Sequence, residues 1–126
     1  MRLLISIILV LSSTHAFAAS WNCRNNDLEI RCSSSKCETS DDFTPFAISV
    51  NADGELSVCA YSGCWEGKGK VMKSGKHILV SGADLKWTGT NPSTADFIVA
   101  VDASDKVGFV KGEGFAMPTS CTPQAR

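Results

Sequence analysis

Residues 45–58, Pro45-Phe46-Ala47-Ile48-Ser49-Val50-Asn51-Ala52-Asp53-Gly54-Glu55-Leu56-Ser57-Val58, carry apolar side chains at Phe46, Ile48 and Val50, break at Asn-Ala-Asp-Gly, and resume at Leu56 and Val58. Alternation with period two sends every second side chain to one face of a strand. An Asp-Gly between two such runs supplies residues that tolerate left-handed backbone, so the stretch reads as a β-hairpin. One face of that hairpin is apolar and needs cover.

The remaining chain offers more strands to provide it. Runs at Trp65 to Met72, His77 to Val80, Asp84 to Thr88, Asp96 to Val101 and Lys106 to Val110 read as extended. Between them lie Lys73-Ser74-Gly75-Lys76, Ser81-Gly82, Gly89 to Thr94 and Asp102-Ala103-Ser104-Asp105, stretches rich in residues that favour turns. No window of ten or more residues after residue 18 keeps a helical apolar period, which predicts little helix. About eight short strands predict an all-β antiparallel meander, rolled into a sandwich or closed as a small barrel. Closure is favoured because it removes exposed edges. The inward set is then Phe46, Ile48, Val50, Leu56, Val58, Ile78, Val80, Leu85, Phe97, Val99, Val101, Val107 and Phe109, with Ile98 and Val110 on the opposite face.

Residues 1–18, MRLLISIILVLSSTHAFA, combine basic Arg2, an apolar run from Leu3 to Leu11 and small residues at Ala16 and Ala18, the pattern of a cleaved secretory signal. The run is too short to span a bilayer, which takes roughly twenty residues. A lipoprotein would need its cysteine directly after the cleavage point, yet four residues precede Cys23. The expectation is a single mature domain over residues 19–126, periplasmic or secreted, with no membrane span. Its formal charge is −2, from 11 basic and 13 acidic residues, unlike the strongly basic domains that bind nucleic acid.

All six cysteines follow the signal, and an even number in a small exported chain reads as a disulfide framework. Three bridges allow fifteen connectivities, and sequence alone does not choose among them. Local geometry favours Cys59 with Cys64 and Cys32 with Cys37, each pair flanking a four-residue turn, which leaves Cys23 with Cys121 to tie the ends. Zinc sites are uncommon in an oxidising compartment, and redox work prefers C-x-x-C beside a βαβ unit. Neither a metal nor another cofactor is therefore expected.

Catalytic residue types are sparse. His77 is the one histidine after the signal and is flanked by lysine, as an exposed turn or strand residue would be. No G-x-S-x-G elbow occurs. Gly69 to His77 has five residues between its glycines where a phosphate loop has four, and ends in His. Asp41-Asp42 and Asp102 with Asp105 match no EF-hand loop and suit turn initiation. No catalytic residue is assigned. Two surface features remain: Lys68, Lys70, Lys73 and Lys76 cluster around one hairpin, and Trp21, Trp65 and Trp87 are either packing groups or contact groups.

Trp21-Asn22-Cys23 near the start and Thr119-Ser120-Cys121 near the end, enclosing a β meander behind an export signal, resemble the periplasmic and membrane-bound inhibitors of C-type lysozyme. The resemblance implies a small antiparallel β-barrel that enters the lysozyme cleft through a Ser-Gly loop and a later Trp-Ser/Thr-Lys-Gly stretch. Ser81-Gly82 would match the first, and Trp87-Thr88-Gly89 the second without its lysine. Leu85 stands where the family loop carries tyrosine, the two elements lie closer together, and four cysteines are additional.

The expected function is a non-enzymatic binding or inhibitor module acting on an extracytoplasmic protein, with lysozyme as one such partner, or on a glycan. Ser81, Gly82 and Trp87 are the expected contacts, with Lys73 and Lys76 as a second patch. A small carboxylate-dependent hydrolase and an envelope structural or stress protein without a discrete site are the competing classes.

Overall fold

The computed structural model describes residues 20–40 and 42–124. The expected signal peptide and Asp41 lie outside the described residues. Eleven strands follow in order: β1 Ser20–Arg24, β2 Glu29–Ser33, β3 Lys36–Ser40, β4 Phe46–Asn51, β5 Glu55–Ala60, β6 Gly63–Lys68, β7 Lys70–Ser74, β8 His77–Trp87, β9 Thr94–Asp102, β10 Val107–Gly112 and β11 Phe115–Pro123. All pairings are antiparallel. The order β1-β4-β5-β6-β8-β9-β10-β11 returns to β1, so the expected all-β fold is a closed eight-stranded barrel. No helix long and apolar enough to cross a membrane occurs among the described residues.

The hairpin of residues 45–58 forms as the alternation requires. Phe46, Ile48, Val50, Leu56 and Val58 are buried. Gly54 adopts φ +93° and its amide donates to the Asn51 carbonyl at 3.0 Å, a left-handed conformation that glycine adopts without a Cβ clash. Val80, Leu85, Phe97, Val99 and Val101 complete the core from β8 and β9, with Val110, Met117 and Cys121 from β10 and β11.

The three disulfides join residues directly opposite across paired strands: Cys23 with Cys121 on β1 and β11, Cys32 with Cys37 on β2 and β3, and Cys59 with Cys64 on β5 and β6. The turns are tighter than the cysteine spacing suggested. Only Ser34-Ser35 and Tyr61-Ser62 stand outside the flanking strands, because the residues next to each cysteine stay in register.

Two expectations are corrected. Ser81-Gly82 is no break: β8 runs unbroken through it with a bulge between Gly82 and Leu85. There Asp84 turns to φ +53° and donates its amide to Asp96 Oδ1 at 2.8 Å, and the added bend helps the sheet to close. β10 faces the other way. Val110 is fully buried, whereas Val107 and Phe109 are 50% and 43% exposed. The cause is glycine. Gly108 and Gly112 point inward against Thr119, Cys121 and Phe97, where a Cβ would clash with Ala100 and Phe97. Ile78, expected inward, is half-buried and packs against the core at a barrel end.

β6 and β7 share the same edge of β8, β6 pairing at Trp65 and Glu66 and β7 along Lys70–Ser74. Gly69 lies at the handover, its amide bonded to the Gly54 carbonyl at 2.8 Å. The strand directions place the Tyr61-Ser62 turn, residues 88–93, the Glu113-Gly114 turn and the β2–β3 hairpin at one pole. The turns at residues 52–54, 75–76 and 103–106 lie at the other.

Candidate binding surface

The expected contact residues do not converge. Trp87 ends β8 at the first pole, Lys73 and Lys76 flank the β7–β8 turn at the second, and the eleven residues of β8 separate them by about 33 Å at strand rise. Ser81 is exposed midway along the outer wall, between Lys70 and Ile98. Gly82 next to it is buried, facing Leu85 and Leu56. The Ser-Gly loop that the resemblance implies is strand here. Trp87 is half-buried and packs on Trp65 with ring centroids 4.4 Å apart.

The second pole is a charge-satisfied corner. Lys76 Nζ lies 2.9 Å from Asp102 Oδ2 and donates to Ser104 Oγ at 3.2 Å, while His77 Nε2 is 3.4 Å from the same carboxylate. Hydrogen bonds from the Ser104 hydroxyl and from Lys76 hold the Asp102 carboxyl well below the usual carboxylate range, with the Ser104 amide adding to them. Lys76 is thus engaged within the chain. Lys73 faces Ile78 beside a cavity of about 80 Å³.

A different surface stands out. The registers of β7, β8, β9, β10 and β11 align Met72, Leu79, Ala100, Phe109 and Pro118 in one transverse row on the outer wall. The next row is Lys70, Ser81, Ile98, Lys111 and Ala116. Met72 is 63% and Ile98 42% exposed, and with Val107 and Phe109 they make four of the seven exposed large hydrophobics among the described residues. An outer barrel wall facing only water would alternate polar groups at these sites. A contiguous apolar patch framed by polar groups is the usual mark of an interaction surface. Lys70 and Lys111 flank Ile98 in the second row, and among the described residues neither has a carboxylate within salt-bridge distance. The wall thus presents an apolar centre with two uncompensated cations.

Only Ile98 was legible as outward from the sequence. From the sequence Phe109 reads as inward, because Gly108 and Gly112 contribute nothing to an apolar pattern. The alternation Gly108-x-Val110-x-Gly112 against Val107-x-Phe109 contains the signal once small residues are allowed to count as inward.

The first pole contains the buried carboxylate. Glu29 is fully buried, accepting from Arg31 Nε at 2.5 Å and from the Thr44 amide at 2.6 Å. Burial pushes its carboxyl up, but the bonds from Arg31 and Thr44 outweigh this and leave it below the ordinary value. Arg31 lies over the Phe115 ring at 5.1 Å, a favourable cation–π placement. This arrangement ties Glu29 and Arg31 of β2 to Thr44 and to Phe115 of β11. Among the described residues no three His, Cys, Asp or Glu side chains gather as a metal site would need. No family model, no curated protein and no solved structure matches the chain.

Proposed function

We propose that this protein is an exported, non-catalytic binding or inhibitor module that docks a folded extracytoplasmic protein on the outer wall of β7–β10. The observation that carries this reading is the row Met72, Leu79, Ala100, Phe109 and Pro118 with Lys70 and Lys111 beside it. Apolar side chains released from water supply the favourable term. The two lysines select a partner whose surface sets acidic groups beside an apolar centre. A closed barrel with cross-linked strands loses little conformational freedom on docking, which leaves more of the contact energy as affinity. The three disulfides suit an oxidising compartment.

The resemblance to lysozyme inhibitors supplies one named partner to try, since a lysozyme cleft holds a pair of carboxylates. The test compares wild type with Met72→Ser and Phe109→Ser as bait for extracytoplasmic proteins, with lysozyme inhibition measured in parallel. A protein retained stoichiometrically by wild type, lost on both variants and weakened by salt supports the reading. Retention unchanged by both substitutions, or no specific partner at all, sinks it.

A further inference from the structure

The three disulfides occupy three different environments. Cys23 and Cys121 are 1% and 3% exposed inside the barrel. Cys59 and Cys64 are half-buried in the barrel wall, where β5 and β6 are each paired on both sides. The Cys64 backbone there is further held by Thr88, whose amide donates to the Cys64 carbonyl at 2.8 Å and whose Oγ1 accepts from the Cys64 amide at 2.9 Å. Cys32 and Cys37 stand outside the barrel. Cys37 is exposed, as are Lys36, Glu38 and Thr39 around it, and β3 has no strand on its far side among the described residues. The hairpin meets β11 at the single pair Arg31 and Phe115, and the Cys32 amide donates to the Gly114 carbonyl at 2.6 Å.

Two further observations concern this bridge. A groove of about 470 Å³ opens beside it, lined by Cys32 together with Arg31, Lys36, Glu38, Glu113 and Phe115 among others. The turn it closes is unfavourable: Ser34 and Ser35 hold φ of +48° and +66°, left-handed backbone that disfavours residues with a Cβ by roughly 1 kcal/mol each. Asn-Gly would normally serve in such a turn. The cross-link therefore holds a hairpin that its own turn residues resist.

We propose that Cys32–Cys37 is a thiol–disulfide exchange site for an extracytoplasmic dithiol, and that its reduction opens the β2–β3 hairpin while the barrel stays closed. A thiolate of the dithiol attacks Cys37 Sγ, forming a mixed disulfide and releasing Cys32 as thiolate. The second thiol of the reductant, as thiolate, attacks the mixed disulfide and releases Cys37. Two electrons pass from the dithiol to the protein, and the two released sulfurs take up the two protons the dithiol has lost. Lys36 lines the groove together with Cys32 and favours the thiolate form of that leaving sulfur. With the bridge gone, Ser34 and Ser35 leave the left-handed region and the hairpin frays back to Glu29, where the hydrogen bond from the Thr44 amide stops it. This inference is independent of the docking wall.

The test treats the folded, fully oxidised protein with rising dithiothreitol, traps free thiols by alkylation and maps them by mass spectrometry, with hydrogen exchange measured on the same samples. The expected result is labelling of Cys32 and Cys37 at a dithiol concentration at least tenfold below that needed for Cys59 and Cys64. Cys23 and Cys121 stay unlabelled while the barrel is folded. Amides of residues 30–39 then exchange at least tenfold faster, and those of β8 to β11 do not. In the double variant Ser34→Asn with Ser35→Gly, reduction accelerates residues 30–39 less, because that turn tolerates its backbone. A reduced C-x-x-C oxidoreductase at equal dithiol concentration acts faster if the groove seats a protein and at the same rate if small dithiols suffice; either rate supports the site. Simultaneous labelling of Cys59 and Cys64, or unchanged exchange in residues 30–39 after reduction, overturns the proposal.

Discussion

The rings of Trp65 and Trp87, opposite one another across β6 and β8, meet with centroids 4.4 Å apart, and Phe97 closes on Trp65 at 5.2 Å. Gly63 lies against the same pair: a Cβ there would sit 2.5 Å from Trp87 Cζ2. The two indoles therefore cap the barrel interior at the hairpin pole. Trp87→Ala is expected to cost about 3 kcal/mol, toward the low end for a large aromatic because the ring is only half-buried. Urea denaturation measures it, and wall-directed partner binding of the folded variant should match wild type.

On the outer wall the opposite separation holds. Phe109→Ser is expected to change unfolding free energy by no more than about 0.5 kcal/mol, as surface substitutions do, while partner affinity falls tenfold or more. Calorimetric titration beside a thermal melt reads both. Lys70→Gln with Lys111→Gln should leave the melt unchanged and flatten the salt dependence of association, because exposed charges act over a Debye length of about 8 Å at physiological ionic strength.

Glu29 ties acid sensitivity to one residue. Its folded carboxyl lies below the ordinary glutamate value of 4.5, so the native state favours the ionised form. The sign follows: the contribution is complete above the unfolded value and is lost as pH falls through the lower folded value. Glu29→Gln is expected to destabilise by about 2 kcal/mol at neutral pH, the scale of hydrogen bonds to a charged group. The gap to wild type should close progressively below pH 4.5. Urea midpoints across pH 3 to 7 test this; a gap independent of pH assigns Glu29 no such role.

The bridge between Cys23 and Cys121 spans 98 residues. Replacing both by alanine is expected to remove about 4 kcal/mol in the chain-entropy view, with the midpoint of thermal unfolding as readout. Replacing Cys32 and Cys37 by alanine opens a loop with a sequence separation of only 5 and should cost far less, because loop entropy grows with loop length.

The register of β10 has its own check. Gly112→Ala drives a methyl into Phe97 and is expected to cost about 1 to 3 kcal/mol by overpacking. Lys111→Ala, on the outer face, should stay within about 0.5 kcal/mol. If β10 faced the other way, the two effects would exchange.

Much of the scaffold is legible in the sequence. The period-two run at Phe46 to Val58 and the two C-x4-C pairs report local geometry: side chains alternate along any strand, and cysteines across a tight hairpin face one another whatever the distant chain does. That local physics was enough to identify the strand class, the hairpin of β4 and β5 and the buried faces of β4, β5 and β9.

What only the tertiary structure decided is where strands distant in sequence align. β10 turns its glycines inward because Phe97 and Cys121 already fill that part of the interior, a volume limit that Gly108 and Gly112 do not announce by themselves. β8 runs through Ser81-Gly82 because β7 and β9 pair with it on both sides and outweigh the turn propensity of a Ser-Gly pair. The row from Met72 to Pro118 exists only through the register of five strands. Each of its members is unremarkable in sequence, and the patch comes from their cross-strand proximity.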